Sequence, residues 1–543
     1  MTKIDLRSHE FYPWCGNLEQ DGILVRGRIF YQGQYFESTI PEEWKRLSSL
    51  HDFQEKLKSL SGRFALICKV EGKTILLVDR ICIYPLFFSQ INGSVLVSDS
   101  FKVMEQNQNP PIGDVEAQMQ YLAFQSPLGN RTLLQNISTL MAGQYAVIDD
   151  TSGTVELFDY DTHSHTEAYP HDFEWLRQKH DAVVDDVFRR MIDSLHGRKV
   201  VLFLSGGYDS RLVITELRKF HYENVLCVSF KQRHSLDYEV AKQVAAEMGY
   251  DWMALDVDRN YVRGLVENDP KLREALWQST NGSRTPYMEA IIIKYYIDRG
   301  DIPRDCVIVN GNSGDFIEGA QFCLKFIPGS TYSCDDILDE VIKKHAMLSG
   351  KQISEHKPIR TALFEELGLE KGRRYSYFES QELFEQINWR ERQSKYVVNS
   401  TWECEEYLGT DWYIPLWDDA LVDFWLNVPI EERAFRKLYL KMVDHEELPT
   451  ANVQTPYLAT VKAMKAFFMP VVRALYPVKK AFGYLTGDVL YYSVGFWDYL
   501  KILSYTKGYQ TDFVSVLIYL MTQMFYHDYF GDVRKFIKKH LET

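Results

Sequence analysis

Five apolar residues, Val200-Val201-Leu202-Phe203-Leu204, run directly into Ser205-Gly206-Gly207-Tyr208-Asp209-Ser210, and a helical pattern follows to about Lys219. A buried strand feeding a glycine turn and a helix N-terminus is an anion site. The glycines let backbone N–H groups approach phosphate oxygens, and the helix dipole favours negative charge. Ser205 and Ser210 add hydroxyl donors, and Asp209 suits a Mg²⁺ ligand, because magnesium at phosphates takes one or two carboxylates. No Gly-Lys-Ser/Thr follows, which excludes a Walker loop, and the G-x-G-x-x-G spacing of dinucleotide sites is absent. The competing reading is an ordinary strand–turn–helix connection.

The flanking pattern predicts the surrounding fold. Trp175 to Leu195 has helical spacing, Asn224 to Phe230 and Trp252 to Val257 read as strands, and Asp237 to Met248 as a helix. Strands alternating with helices predict a doubly wound parallel sheet, to which Val307-Ile308-Val309 adds a strand. Beyond about residue 330 the pattern is mostly helical. Ahead of this region lie short β-branched runs, Ile23 to Val25, Phe64 to Ile67, Thr74 to Val78, Val95 to Val97 and Gln144 to Ile148. Glycines punctuate them, and Glu71-Gly72 is the expected turn of a hairpin from Ala65 to Val78. Asp149 to His171 is polar and reads as a linker. The expectation is thus an α/β multidomain chain, with an N-terminal β-rich domain over 1–160 and a second domain over 172–543.

A length of 543 residues exceeds one core, which agrees with that division. The net charge of -14 argues against general nucleic-acid binding, which needs a basic surface. The 8 cysteines form no C-x-x-C pair, so free thiols in a reducing cytoplasm are expected rather than zinc or disulfides. No signal-peptide core is visible at the N-terminus, and the most apolar window, Phe513 to Phe525, falls short of the roughly 18 residues a spanning helix needs. No membrane insertion is expected.

Ser-Gly-Gly-x-Asp-Ser after an apolar strand resembles the pyrophosphate loop of the ATP pyrophosphatases, and the likeness extends to the asparagine synthetases. Ser229-Phe230 and the helix opening Asp237-Tyr238-Glu239 resemble that family's second strand and helix. Asn310-Gly311-Asn312-Ser313-Gly314-Asp315 resembles its Ser-Gly-x-Gly-x-Asp-Glu, with Phe316 in place of the final acid and Glu318-Gly319-Ala320 in place of a glycine pair. Pro415-Leu416-Trp417-Asp418, Pro429 and Lys437-Leu438-Tyr439 continue the resemblance. In the N-terminal region Asp79-Arg80, Tyr84 to Phe88, Ser98-Asp99-Ser100 and Leu140 to Gln144 resemble the family's glutaminase-type (Ntn) antiparallel sandwich.

The resemblance implies ATP and Mg²⁺, with ATP at Ser205, Gly206, Gly207, Asp209, Ser210 and Gly311, adenine at Ser229-Phe230, and metal on Asp209 and Asp315. It implies a carboxylate activated as its adenylate, with AMP and pyrophosphate released, and then attacked by an amine or ammonia. The family's lysine at pyrophosphate is matched loosely by Lys462 and Lys465, for which a solvated surface is the competing reading. Arg392 and Lys395 are candidates to hold an acidic substrate, against a charged helix face. Glu403, Glu405 and Glu406 are candidates to orient an amine, against the favoured reading of solvated carboxylates, and the histidines His163, His165 and His234 read as scattered, with no metal.

Glutamine-dependent members open on a Cys whose α-amine serves as base. Here the first residues are Met1-Thr2-Lys3, Cys15 is internal, and Arg26-Gly27-Arg28 stands where the family's glutamine-holding Asn-Gly-Glu is expected. The expectation is a glutaminase-like domain without glutaminase activity, as in β-lactam synthetases and lasso-peptide cyclases. Substrates then range over small, saccharide (uronic acid) or peptide carboxylates. A peptide or lactam cyclase of the same family and a non-catalytic scaffold that keeps the fold are the alternatives.

Overall fold

The computed structural model describes residues 2–445 and 533–540 apart from 92, 109, 232–236, 257–267, 281, 283–288, 347–355, 396, 398–400 and 402. Lys462, Lys465, His234 and the window Phe513 to Phe525 lie outside the described residues.

The N-terminal region holds two sheets. One runs β1 (Thr2–Ile4), β8 (Ser94–Ser98), β7 (Phe87–Ile91), β9 (Ser138–Thr139). The other runs β11 (Val155–Asp159), β10 (Gln144–Asp149), β6 (Lys73–Val78), β5 (Leu60–Val70), β3 (Ile23–Tyr31), β2 (Cys15–Asn17), with β4 (Gln34–Glu37) on β3. Pairing is antiparallel except between β1 and β8. The turn Glu71-Gly72 has φ of 51° and 73°, the left-handed pair that matches strand twist in a tight hairpin, and it sets Ala65 opposite Val78. Helices α1 (Leu50–Leu57), α2 (Phe101–Gln106) and α3 (Val115–Phe124) complete the region.

The expected linker is shorter than its composition predicts. β11 pairs with β10 along Gln144↔Asp159 to Ile148↔Val155. It is an edge strand with most residues exposed, so it lacks the apolar run that marks a buried strand.

After α4 (Phe173–Leu195) comes a parallel five-stranded sheet in the order β14 (Asp251–Leu255), β13 (Val225–Phe230), β12 (Val200–Phe203), β15 (Val307–Asn310), β18 (Asp411–Tyr413), while β16 (Thr331–Ser333) and β17 (Arg374–Ser376) pair with each other. Helix α5 (Tyr208–Lys219) follows β12 and α6 (Asp237–Met248) follows β13. Val200, Val201 and Leu202 are wholly buried, as expected of a central parallel strand covered on both faces. From β12 the chain winds out through β13 and β14, then returns to place β15 on the other side of β12. The winding reverses between β12 and β15, and the loops at their carboxyl ends open a crevice there, the usual ligand position in such sheets.

The later helical region packs against the N-terminal one. Ser333 and Ser376 cap the helices Cys334–His345 and Tyr377–Asn388, each with a reciprocal bond from the acid three residues on. Their apolar faces share a core with α3 through Tyr121, Leu122, Ile337, Val341, Phe384 and Ile387. No described helix is long and apolar enough to cross a membrane.

Candidate active site

The crevice between β12 and β15 is lined by the two loops that the sequence singles out. Phe203 lies opposite Asn310 in the parallel register, so Ser205 to Gly207 and Gly311 to Gly314 leave the sheet side by side. Two glycines permit the approach. A Cβ on Gly311 would sit 2.7 Å from the Ser210 amide nitrogen, and one on Gly314 would sit 2.9 Å from Asp209 Cγ. Any side chain at either position would push the loops apart.

Within the first loop the hydroxyls hold the turn. The Ser205 amide donates to Ser210 Oγ at 3.1 Å, the two hydroxyls lie 3.1 Å apart, and the Gly207 amide donates to Ser205 Oγ at 3.1 Å. Arg211 Nη2 donates to Gly206 O at 2.8 Å, tying the helix back to the loop. The first-turn amides of α5 have no carbonyl of their own helix to reach, so they point a donor set into the crevice.

Asp209 and Asp315 meet across it. The Asp315 amide donates to Asp209 Oδ2 at 2.9 Å, and Gln321 Nε2 donates to Asp315 Oδ2 at 3.1 Å. Among the described residues no group of three or more His, Cys, Asp or Glu is arranged to hold a metal.

Arg436, which sequence reasoning passed over, joins the pair. Its Nη2 donates to Asp209 Oδ1 at 2.7 Å and also pairs with Glu318. Phe435 and Arg436 take left-handed φ of 57° and 63°, and the Phe435 amide donates to Gly319 O at 2.9 Å. This bend carries the guanidinium into the crevice. Burial pushes the Asp209 carboxyl up, Arg436 pulls it back, and the nearby Asp315 charge pushes again, so it rests above its ordinary value. Burial, and then the Asp209 charge, push Glu318 well above its ordinary range against Arg436.

The departure at Phe316 has a packing reason. Phe316 is fully buried, stacked on His163 at 5.4 Å and against Trp417 at 5.6 Å, where a carboxylate would have no partner. A carboxylate stands two residues farther on, at Glu318, paired with Arg436.

Other expected residues fall as follows. Ser229 Oγ donates to Leu204 O at 2.7 Å and accepts Trp252 Nε1 at 3.0 Å, while Phe230 stacks on Phe203 at 5.6 Å. Both therefore stand beside the strand end that feeds the loop. Arg392 lies in a separate pocket beside His345, and Lys395 is buried against Glu391 at 2.6 Å and Pro127 O.

The expectation of solvated carboxylates at Glu405 and Glu406 is overturned. Glu405 is buried, takes Arg26 Nη2 at 2.9 Å and Tyr84 OH at 3.0 Å, and burial, opposed by Arg26 and reinforced by Asp411, pushes its carboxyl up to about 7. Glu406 Oε1 lies 2.7 Å from His9 Nδ1, and Asp99 Oδ2 lies 2.6 Å from His9 Nε2. Burial works against the imidazolium, but the bonds to Asp99 and Glu406 outweigh it and raise His9. Asp99 also accepts Trp14 Nε1 at 2.7 Å and the Arg7 amide at 3.0 Å. Arg28 bonds both Asp411 oxygens at 2.7 and 2.6 Å. The Arg26-Gly27-Arg28 segment is thus a clasp from the N-terminal sheets onto the parallel-sheet region. His163 and His165 are likewise buried, His165 paired with Glu385, which also takes Arg433.

Comparison with known proteins matches this layout. Residues 50–159 match the glutamine amidotransferase domain, and residues 199–283 match the queuosine biosynthesis protein QueC family. The chain is 26% identical over 238 residues to asparagine synthetase [glutamine-hydrolyzing] 1 of Bacillus subtilis, which covers 42% of this chain and 36% of that relative. The chain is thus similar to an asparagine synthetase over part of its length. It spans little more than a third of that relative's length in the match, with an amidotransferase-type region ahead of the QueC-like one. Among solved structures, similarity is found to the NH3-dependent NAD synthetase of Campylobacter jejuni, at 17% identity over 27% of this chain and 61% of that one, TM-score 0.18. It is found also to the glutamine phosphoribosylpyrophosphate amidotransferase of B. subtilis, at 10% identity over 55% and 63%, TM-score 0.18. The asparagine-synthetase-like assignment rests on the sequence matches and the loop pair.

Proposed function

We propose that this asparagine-synthetase-like chain is an ATP-dependent carboxylate–amine ligase releasing AMP and pyrophosphate, with ATP seated between the β12 and β15 loops. The observation that carries the reading is the meeting of Asp209 and Asp315 at the reversal point of the sheet, beside the amides of Ser205 to Ser210. Two carboxylates beside a phosphate cradle are a donor set that suits magnesium, which fills its other positions from phosphate and water. Asp209 and Asp315 would hold it, and when bound it supplies charge neutralisation at the polyphosphate.

The protein's own groups then do the following. The loop amides and the Ser205 and Ser210 hydroxyls orient the polyphosphate and stabilise negative charge as the inner anhydride opens. Arg436, already at Asp209, is positioned to follow that charge. Ser229 and Phe230 flank the base. The substrate carboxylate attacks the α-phosphorus and pyrophosphate leaves; an amine or ammonia then attacks the acyl carbon of the adenylate, loses a proton, and AMP leaves. Lys462 and Lys465 remain candidates for the lysine at pyrophosphate. The acid is drawn from small, saccharide or peptide carboxylates, uronic acids among them.

The N-terminal region, over about 1–160 ahead of the ligase region, is proposed to act as a scaffold without glutaminase activity. Asp99, Arg26 and Arg28 are committed to intramolecular partners, which supports the reading that they do not hold an amino acid. The nitrogen then comes from free ammonia or from a substrate amine.

One observation favours the non-catalytic alternative. Arg436 supplies Asp209 with a resident cation. Exchange of labelled pyrophosphate into ATP, run with a panel of uronic acids, amino acids and peptides, separates the two. Exchange that is lost in Asp209→Ala supports the ligase; absence of exchange together with absence of ATP binding rejects it.

A further inference from the structure

Asp209 has both carboxylate oxygens engaged. Its Oδ2 accepts the Asp315 amide at 2.9 Å, and its Oδ1 accepts Arg436 Nη2 at 2.7 Å. The amide leaves the charge of the acid available, but the guanidinium neutralises it. A divalent cation on the same carboxylate would stand close to that guanidinium, and like charges so near one another repel. Magnesium and Arg436 therefore compete for Asp209.

The backbone brings the guanidinium to this place. A Cβ on Gly319 would lie 2.6 Å from Arg433 O, so glycine is what lets the turn from Arg433 to Arg436 lie against the short helix Gly314–Ile317 that carries Asp315. Arg433 Nε donates to Ile317 O at 2.7 Å, and the Phe435 amide donates to Gly319 O at 2.9 Å. These bonds hold Phe435 and Arg436 in left-handed conformations that side chains rarely adopt. Arg436 thus belongs to the same fastened unit as Asp315.

Its attachment is uneven. Glu318, the deeper partner, has a side chain 3% exposed, against 20% for Asp209. The guanidinium also lies over the Tyr439 ring at 4.6 Å. Arg436 Nε is buried with no hydrogen-bond partner among the described residues. The bond to Asp209 is therefore the one that solvent and ligand reach. A guanidinium presents its donors as a planar fork, which a phosphate meets with two oxygens, whereas Asp209 offers it one. A polyphosphate beside the Ser205 to Ser210 loop is the better partner.

We propose that Arg436 is a resident counter-cation that keeps the metal off Asp209 until the polyphosphate of a nucleotide draws it away, so that metal enters with the nucleotide and not ahead of it. This deepens the ligase reading and rests on it for the nucleotide.

Two measurements on the full chain test it. One is Mn²⁺ binding followed by electron paramagnetic resonance with no nucleotide present. The other is calorimetry of α,β-methylene-ATP, whose inner bridge cannot open, in the presence of Mg²⁺. The variants are Arg436→Met and the double change Arg436→Met with Glu318→Gln, which removes a cation and an anion together. With Asp209 free of its guanidinium in about a tenth of the unchanged molecules, removing Arg436 should tighten Mn²⁺ about tenfold. The analogue should bind about tenfold more weakly, having lost the fork. Adding Asp209→Asn to the double change should abolish the gain in Mn²⁺ affinity. Should Arg436→Met alone fail to fold, the double change decides. The proposal is overturned if the double change binds Mn²⁺ no more tightly than the unchanged protein, if the gain survives Asp209→Asn, or if the analogue binds both with equal affinity. Nucleotide binding by the unchanged protein with no change in Mn²⁺ affinity rejects the gate alone. A gain in Mn²⁺ affinity that depends on Asp209, in a protein that binds no nucleotide, rejects the ligase reading and keeps the competition at Asp209.

Discussion

The Ser205 to Ser210 loop and the Arg26 to Arg28 segment both gather polar groups beside a sheet, yet they spend them in opposite ways. In the loop, the hydroxyls bond only to the turn itself, and the first-turn amides of α5 are left facing a crevice. In the strand segment, every guanidinium is committed: Arg26 to Glu405 and Tyr12 O, Arg28 to Asp411 and Trp412 O. A polar cluster with donors left over is equipped to bind something, and one whose guanidinium groups are paired with buried carboxylates is equipped to hold two regions together. The first needs glycine to keep side chains out; the second needs burial to make its ion pairs specific.

The comparison is broken most sharply at Arg28. Arg28→Ala leaves Asp411 buried with Arg198 as its remaining cation, and should cost about 3 kcal/mol, the low end for breaking a buried pair, as read by urea denaturation. Pyrophosphate exchange per folded molecule should survive. Asp209→Ala should do the reverse: exchange falls about a hundredfold or more, while the denaturation midpoint changes little.

A pH titration sharpens the contrast next. Glu405 is raised to about 7 and His9 is raised above its ordinary value, so both stabilise the fold below their unfolded values and lose that contribution as pH rises through their folded ones. Stability should fall with pH from about 4.5 through about 7 by up to ~1.4 kcal/mol per unit for Glu405. Glu405→Gln should flatten that slope; an unchanged slope would show that the clasp does not titrate there. Asp99 and Glu406, held low by His9 against burial, act in the opposite sense, and their contribution is lost only as pH falls through their depressed values. The smallest effect is expected of Ser210→Ala, which removes the acceptor for the Ser205 amide. It should cost about 1 kcal/mol in thermal stability and raise the KM for ATP more than it lowers kcat.

Local patterns made some of this legible in advance. The run Val200 to Leu204 is buried on both faces and therefore apolar throughout, and the hairpin at Glu71-Gly72 needs residues that accept left-handed φ. The edge strand β11 was invisible because one face meets water. β18 was invisible because Asp411 is polar and its burial depends on Arg28 and Arg198, 383 and 213 residues away in the chain. Glu405 and Glu406 read as surface carboxylates for the same reason, since their partners Arg26 and His9 come from the other end of the sequence.

The sequence by itself determined the loop chemistry and the strand–helix alternation, because neighbouring residues suffice to make a glycine turn or an apolar strand. Tertiary structure alone decided that Arg436 joins Asp209 and that the Arg26-Gly27-Arg28 segment became a clasp. Those outcomes depend on which charges burial brings together, and the energy of a buried charge is set by partners that no local pattern specifies.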